Sequence, residues 1–176
     1  IADFSPEVGK RLDYIPAFGS YRLTQHHPDG FQIHKRTAAG QGWLLSATGE
    51  RAAGVGYLGT PKGGVAFGLR HFWQSYPACL EIENAHTDVA TVTLWLWSPW
   101  AEPMDMRFYH DGLGQDTHDK QREGLAITYE DYEPGFGSAV GVARTSELFI
   151  DVLPATPDAE NLVSRARRMQ QPPLLV

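Results

Sequence analysis

The sequence predicts an all-β protein, an antiparallel β-sandwich with one short C-terminal helix, and three observations carry that expectation. Nine short stretches of strand character, at 31–36, 42–46, 54–58, 64–70, 78–84, 89–97, 125–130, 137–144 and 147–153, follow one another closely along the chain. The 18 glycines and 12 prolines among 176 residues are a raised share, and many fall between those stretches, as in Pro28-Asp29-Gly30, Thr48-Gly49-Glu50, Pro61-Lys62-Gly63-Gly64 and Asp111-Gly112. Helical spacing appears only near the C-terminus, so the alternation of strand and helix that builds a parallel sheet is missing. No internal repeat of propeller or solenoid length is visible.

In chain order, residues 1–30 read as an irregular lead-in, with His26-His27 in a loop before the Pro28-Asp29-Gly30 turn. In 64–70, Val65, Phe67 and Leu69 alternate with Gly64, Ala66, Gly68 and Arg70, and the small second face admits another backbone or a ligand. Leu80-Glu81-Ile82-Glu83 places its carboxylates outward, as in a sheet wetted on one side. Across 89–97, Ala90, Val92, Leu94 and Leu96 form a core face. Thr91, Thr93, Trp95 and Trp97 oppose them, as a second packed layer, a domain interface or a ligand surface. Thr156-Pro157-Asp158 supplies an N-cap, a first-turn proline and an acid, and Leu162, Val163, Ala166 and Met169 then recur at helical spacing. The expected organisation is a sandwich over 1–153, followed over 154–176 by a linker and the start of a truncated helical domain. The opening residues lack an initiator Met and the features of a signal peptide, and QPPLLV ends without a second helix to cover the first. Both ends therefore read as cuts in a larger chain.

Composition excludes several classes of function. A formal charge of −6 argues against nucleic acid, which needs clustered Lys and Arg. No apolar run approaches the ~20 residues of a membrane-spanning helix. The single Cys79 rules out an internal disulfide framework, and its apolar neighbours make it a small buried hydrophobe rather than a nucleophile. No G-x-S-x-G, H-E-x-x-H, P-loop or paired-cysteine motif occurs. His110 and His118 flank a Gly- and Asp-rich loop, and a metal-binding reading of Asp111, Asp116, His118 and Asp119 finds no support in their spacing, which fits no EF-hand. No cofactor is called for, with a divalent cation such as calcium left open.

Two dense blocks remain, GLRHFWQSYP at 68–77 and WLWSPWAEPMDMRFYH at 95–110. Aromatic rings beside hydrogen-bonding groups suit a sugar, whose apolar C–H face stacks while its rim of hydroxyls is bonded, and Arg adds a planar fork for a carboxylate. Substrate-binding candidates are Arg70, Trp73, Tyr76 and Trp100. The alternative roles are core packing for the tryptophans and structural ion pairs for Arg70 and Arg107, with Glu81, Glu102 or Asp105 as partners.

The blocks GVAFGLRHFWQSYPACLEIE, VTLWLWSPWAEPMDMRFYH and ITYEDYEPGFGSAVGVARTSEL, in that order, resemble the exo-rhamnogalacturonan lyase family, polysaccharide lyase family 26. The resemblance spans roughly residues 64–148 and implies the later part of a central β-sandwich that runs toward an α/α toroid. It further implies β-elimination at a uronate sugar in the parent protein, a reaction that needs a cation on the carboxylate, a base and an acid. Arg107, Tyr109, His110 and His71 are the catalytic candidates on that reading. Implied partners are an oligo- or polysaccharide containing uronic acid and neighbouring domains of the same chain. Export or a periplasmic location follows from where such substrates occur, with a cytoplasmic enzyme as the alternative. A noncatalytic carbohydrate-binding module and a purely structural sandwich are the competing functions.

Overall fold

The computed structural model describes residues 17–104, 117–125 and 140–172. The strands described are β1 (Ser20–His27), β2 (Gly30–Arg36), β3 (Leu44–Gly49), β4 (Val55–Thr60), β5 (Gly63–Leu69), β6 (Ala78–Glu83), β7 (Thr91–Trp95) and β8 (Leu148–Leu153). The helices are α1 (His118–Leu125) and α2 (Ala159–Gln170). The strands form two antiparallel sheets, ordered β3-β2-β1-β6-β7 and β4-β5-β8, so the predicted sandwich is the observed architecture.

The core lies where the alternation places it. Phe67 and Leu69 of β5 meet Ala78 and Leu80 of β6, with Ala52 and Phe72 from the connections, and Leu23, Phe31, Leu58, Ile82, Val92 and Leu94 pack around them. Each large apolar side chain fully buried in this way contributes ~1.5–3 kcal/mol. The small second face of β5 receives α2. A Cβ at Gly68 would stand 2.8 Å from Met169 Sδ, and Asp151, on the same side of the sheet, pairs with Arg165 of the helix. The C-terminal helix therefore docks on the sandwich through a buried Met169. Asp158 caps it, accepting from the Asn161 amide at 2.7 Å.

Three features differ from the sequence reading. The stretch taken as irregular lead-in contains β1, which pairs β2 on one side and β6 on the other at the centre of its sheet, so His26 and His27 sit on a strand and not in a loop. Its buried positions include the polar Thr24 and Gln25, which hides the strand from hydrophobic periodicity. His118 and Asp119, read only as the flank of a loop, open a helix, which is mostly polar, with no apolar stripe to betray it. Residues 140–144 of the expected strand at 137–144 form a turn and irregular chain; the rest of that strand, and the expected strand at 125–130 beyond Leu125, lie outside the described residues.

The edge strand β8 adds a further observation. Leu148, Ile150 and Val152 pair with Leu69, Phe67 and Val65 and so share their core-facing side, yet all three are exposed. The five-stranded sheet does not extend over that edge.

Candidate functional site

The outward face of the five-stranded sheet carries a chain of cations, rings and carboxylates. Arg22 and Glu81 stand opposite each other on β1 and β6, and Arg22 donates Nε at 3.3 Å and Nη2 at 2.7 Å to Glu81 Oε1. The Trp95 indole N–H on β7 donates to the other oxygen at 2.9 Å. The Arg22 guanidinium lies 4.1 Å from the Trp43 ring centroid and 3.7 Å from that of Trp100. Arg36 sits over Trp43 at 4.4 Å and pairs with Glu83 at 2.5 Å. Glu81 is 5% exposed, so this is a nearly closed network in which both carboxylate oxygens are used. Trp100 remains 45% exposed, with Arg22 against its ring.

The second concentration is the connection between β5 and β6, residues 70–77, where the first aromatic block of the sequence lies. Buried Gln25 organises its surroundings: its amide donates to the carbonyls of His27 and Glu50, and its oxygen accepts from the Ala52 amide at 3.0 Å. That fixes the 50–52 segment. Arg51 there bonds Asp29 at 3.1 Å and lies 4.3 Å from the Trp73 ring centroid. Arg70 donates Nη1 to both oxygens of Glu147 at 2.8 Å, so its carboxylate partner is neither Glu81 nor Glu102. His71 is exposed with φ +56°, and its amide donates to Gln170 Oε1 of α2 at 3.1 Å. Phe72 enters the core, and the Phe72 ring leaves no room for a Cβ at Gly54, whose φ is +69°. Tyr76 is buried, and its carbonyl accepts from Arg144 Nη1 at 3.2 Å.

Arg144 was not singled out by the sequence. Its guanidinium lies 3.7 Å from the centroid of Trp97, and its Nε and Nη2 are buried with no hydrogen-bond partner. Burial pushes its pKa down from the usual arginine range. Ser98 beside Trp97 donates its amide to the Pro77 carbonyl at 2.9 Å, which ties the 96–100 turn to the 70–77 connection. The structure thus gathers Arg70, His71, Trp73 and Tyr76 on one connection, and Trp100 on the turn linked to it. Arg107, Tyr109 and His110 lie outside the described residues. A lone arginine among small residues in Gly141-Val142-Ala143-Arg144-Thr145 is the one sequence signal that could have marked Arg144, and its partners are far away in sequence.

Histidines form a separate cluster. The His27 and His118 rings stack with centroids 4.2 Å apart, joining the end of β1 to α1, and Asp29 Oδ2 accepts from the His118 amide at 2.9 Å. Burial, and then their mutual repulsion for His27 and the nearby Arg122 for His118, lowers both pKa values. His26 and His34 are lowered as well, chiefly by burial. Among the described residues no group of three or more His, Cys, Asp or Glu is arranged to hold a metal ion. Cys79 accepts from Thr24 Oγ1 at 3.4 Å, and burial pushes its thiol up to about 12, which removes it as a nucleophile.

Comparison with known proteins adds a family. The sequence model of the PcRGLX-like protein central beta sandwich domain matches residues 1–167. The protein YetA of Bacillus subtilis (strain 168), described as uncharacterized, is 34% identical over 155 residues, covering 88% of this chain. The chain spans 17% of that relative's length.

Proposed function

The chain belongs to the PcRGLX-like family as its central β-sandwich domain, and from that membership we propose that it is one domain of a polysaccharide lyase-like protein, bordering a site for β-elimination of pectic, rhamnogalacturonan-type oligosaccharides. The observation that carries this reading is the convergence on residues 70–77. Arg51, Arg144, Glu147 and the 96–100 turn reach that one connection from three other parts of the chain. Rings, guanidinium groups and exposed backbone together are what a charged sugar requires.

Within that reading the residues divide by how free they are. Arg70 already holds Glu147 through both carboxylate oxygens, so it positions the connection and meets a substrate carboxylate only by exchanging that partner. His71 is exposed and anchored through its backbone, which leaves its imidazole available for proton transfer. Arg107, Tyr109 and His110 complete the proposed catalytic set, with Arg107 on the carboxylate and a tyrosine or histidine taking the C5 proton. Trp73 and Trp100 supply ring surface beside it. Neighbouring domains of the parent supply the rest of the site, and export to where pectic polymers occur fits the substrate.

The test is to incubate the parent protein and the isolated 176-residue chain with rhamnogalacturonan oligosaccharides and follow the ultraviolet absorbance of an unsaturated uronyl product. Product from the parent and none from the isolated chain is the expected result. No product from the parent across pectic substrates refutes the lyase reading.

A further inference from the structure

Among the described residues, Arg22, Arg36, Arg51 and Arg144 lie over tryptophan rings. Arg22 also holds Glu81, Arg36 holds Glu83 and Arg51 holds Asp29. Arg144 shares the ring and lacks the carboxylate. Its Nη1 is spent on the Tyr76 carbonyl, and the two nitrogens left over, Nε and Nη2, are the side-on edge of the guanidinium. Their two N–H groups point the same way and match the two oxygens of one carboxylate. A buried guanidinium with that edge unpaired loses hydrogen bonds it made in water, at a cost that an incoming anion reverses.

We propose that Arg144, seated on Trp97, is a docking point for the carboxylate of a uronic acid residue in an oligosaccharide. The proposal rests on the sugar-binding reading above and adds to it the residue that recognises charge. Three features select an acidic sugar. The fork is shaped for a carboxylate, Trp97 is 42% exposed beside it, and Trp100 is exposed on the same turn. A uronate brings an anion for the fork and a C–H face for the rings at once. Ala143 and Thr145, flanking Arg144, are exposed, whereas Nε and Nη2 are themselves closed to solvent, so docking requires the covering side chains to move aside. Tyr76 fixes the far side of the guanidinium, so the edge is presented in one orientation before any ligand arrives.

The experiment is calorimetric titration of the parent protein with trigalacturonate and with its carboxyl-reduced counterpart, for wild type, Arg144→Lys and Trp97→Leu. Arg144→Lys keeps the charge and removes the fork. Its trigalacturonate affinity should fall at least tenfold, about 1.4 kcal/mol, and wild type should bind the reduced sugar at least tenfold more weakly than the acid. Trp97→Leu, at an exposed position, should weaken the acid severalfold with the thermal midpoint held. Equal affinity of wild type and Arg144→Lys, or of acid and reduced sugar, overturns the proposal. So does a wild type that ignores trigalacturonate while Arg144→Lys lowers the thermal midpoint, because the fork then serves a carboxylate of the protein itself. Should Arg144→Lys not fold, unchanged binding by Trp97→Leu overturns it. Arg144-dependent binding in a parent that forms no unsaturated product keeps this site and ends the lyase reading. Product formation with binding indifferent to Arg144 does the reverse.

Discussion

Replacing Glu81 by Ala should be among the most damaging single changes on the outward face of the five-stranded sheet. Arg22 and Glu81 are nearly closed to solvent, with side chains 11% and 7% exposed, and Glu81 is the only ion-pair partner recorded for Arg22 among the described residues. Removing one member of a buried pair costs about 3–5 kcal/mol, because the other charge stays dehydrated. The rings of Trp43 and Trp100 retain part of the cation's stabilisation, so the loss should fall near the lower end, about 3 kcal/mol. With a urea dependence of about 2 kcal/mol per molar, the denaturation midpoint should drop by about 1.5 M. The assay is urea unfolding followed by tryptophan fluorescence, which Trp95, bonded to Glu81, reports directly. In the double variant Arg22→Met with Glu81→Met no charge is stranded, and its loss should be smaller than the sum of the two single losses by more than ~0.5 kcal/mol. A midpoint shift under ~0.5 M for Glu81→Ala, or strict additivity, would show that water reaches the pair and that the network is not closed.

Three further outcomes follow from named groups. His26, His27, His34 and His118 all have pKa values lowered in the folded chain from 6.5. The unfolded state therefore binds protons more readily, so stability should fall as pH drops through the unfolded value and keep falling until the folded values are passed; thermal midpoints at pH 7 and pH 5 check the sign, and a higher midpoint at pH 5 refutes it. His27→Phe, which keeps a ring against His118 and removes one charge, should flatten that slope. Cys79, fully buried with its thiol near 12, should resist Ellman's reagent in the folded chain and react once in urea, a stoichiometric count that rapid native labelling would contradict. Asp158→Ala should cost about 1 kcal/mol through loss of the α2 cap, and Asp158→Asn much less, both read from the same urea curves.

Alternation was enough to assign the faces of β5, β6 and β7, with Leu80 and Ile82 inward and Glu81 and Glu83 outward, but the expected wetted side was wrong at Glu81, which is 5% exposed because Arg22 and Trp95 cover it. The same rule missed β1. Its outward Thr24 is buried against Cys79 and its outward Arg22 is largely covered beside Glu81, while its inward Gln25 is buried and hydrogen-bonded through both ends of its amide, so polarity along that strand carries no information about which side is wet. Helix α1 was missed for the opposite reason. It has no buried apolar stripe to read, and its start is marked only by Thr117, whose hydroxyl accepts from the Lys120 amide at 3.3 Å. The aromatic block at 68–77 was legible as a concentration of chemistry, but its division into core and surface was not. Phe72 and Tyr76 turn inward while His71 stays out, and that choice depends on the Gly54 and Gln170 contacts supplied from distant sequence.

Tryptophan beside arginine, read as composition, suggests a sugar platform, and this chain shows why composition misleads. Arg22, Arg36 and Arg51 each lie over a tryptophan and each also holds a carboxylate, so the same residue types act as internal ties between strands and loops. A tie that is complete has little left to offer a ligand, since binding would first have to break it. The useful distinction is whether the hydrogen-bonding capacity of the cation is used up. Arg70 holds Glu147 and falls with the ties, although its Nε, like Arg36 Nε, is buried without a hydrogen-bond partner. Arg144, with a ring beneath it, one nitrogen anchored and two left over, falls on the other side of that line. Substituting Glu147 by Gln offers a direct comparison: it frees Arg70 from its carboxylate, and if free capacity is what makes a site, the parent should gain affinity for trigalacturonate through Arg70. Unchanged affinity would mean that orientation by a backbone carbonyl and a ring, which among the described residues Arg144 has, matters more than a free charge.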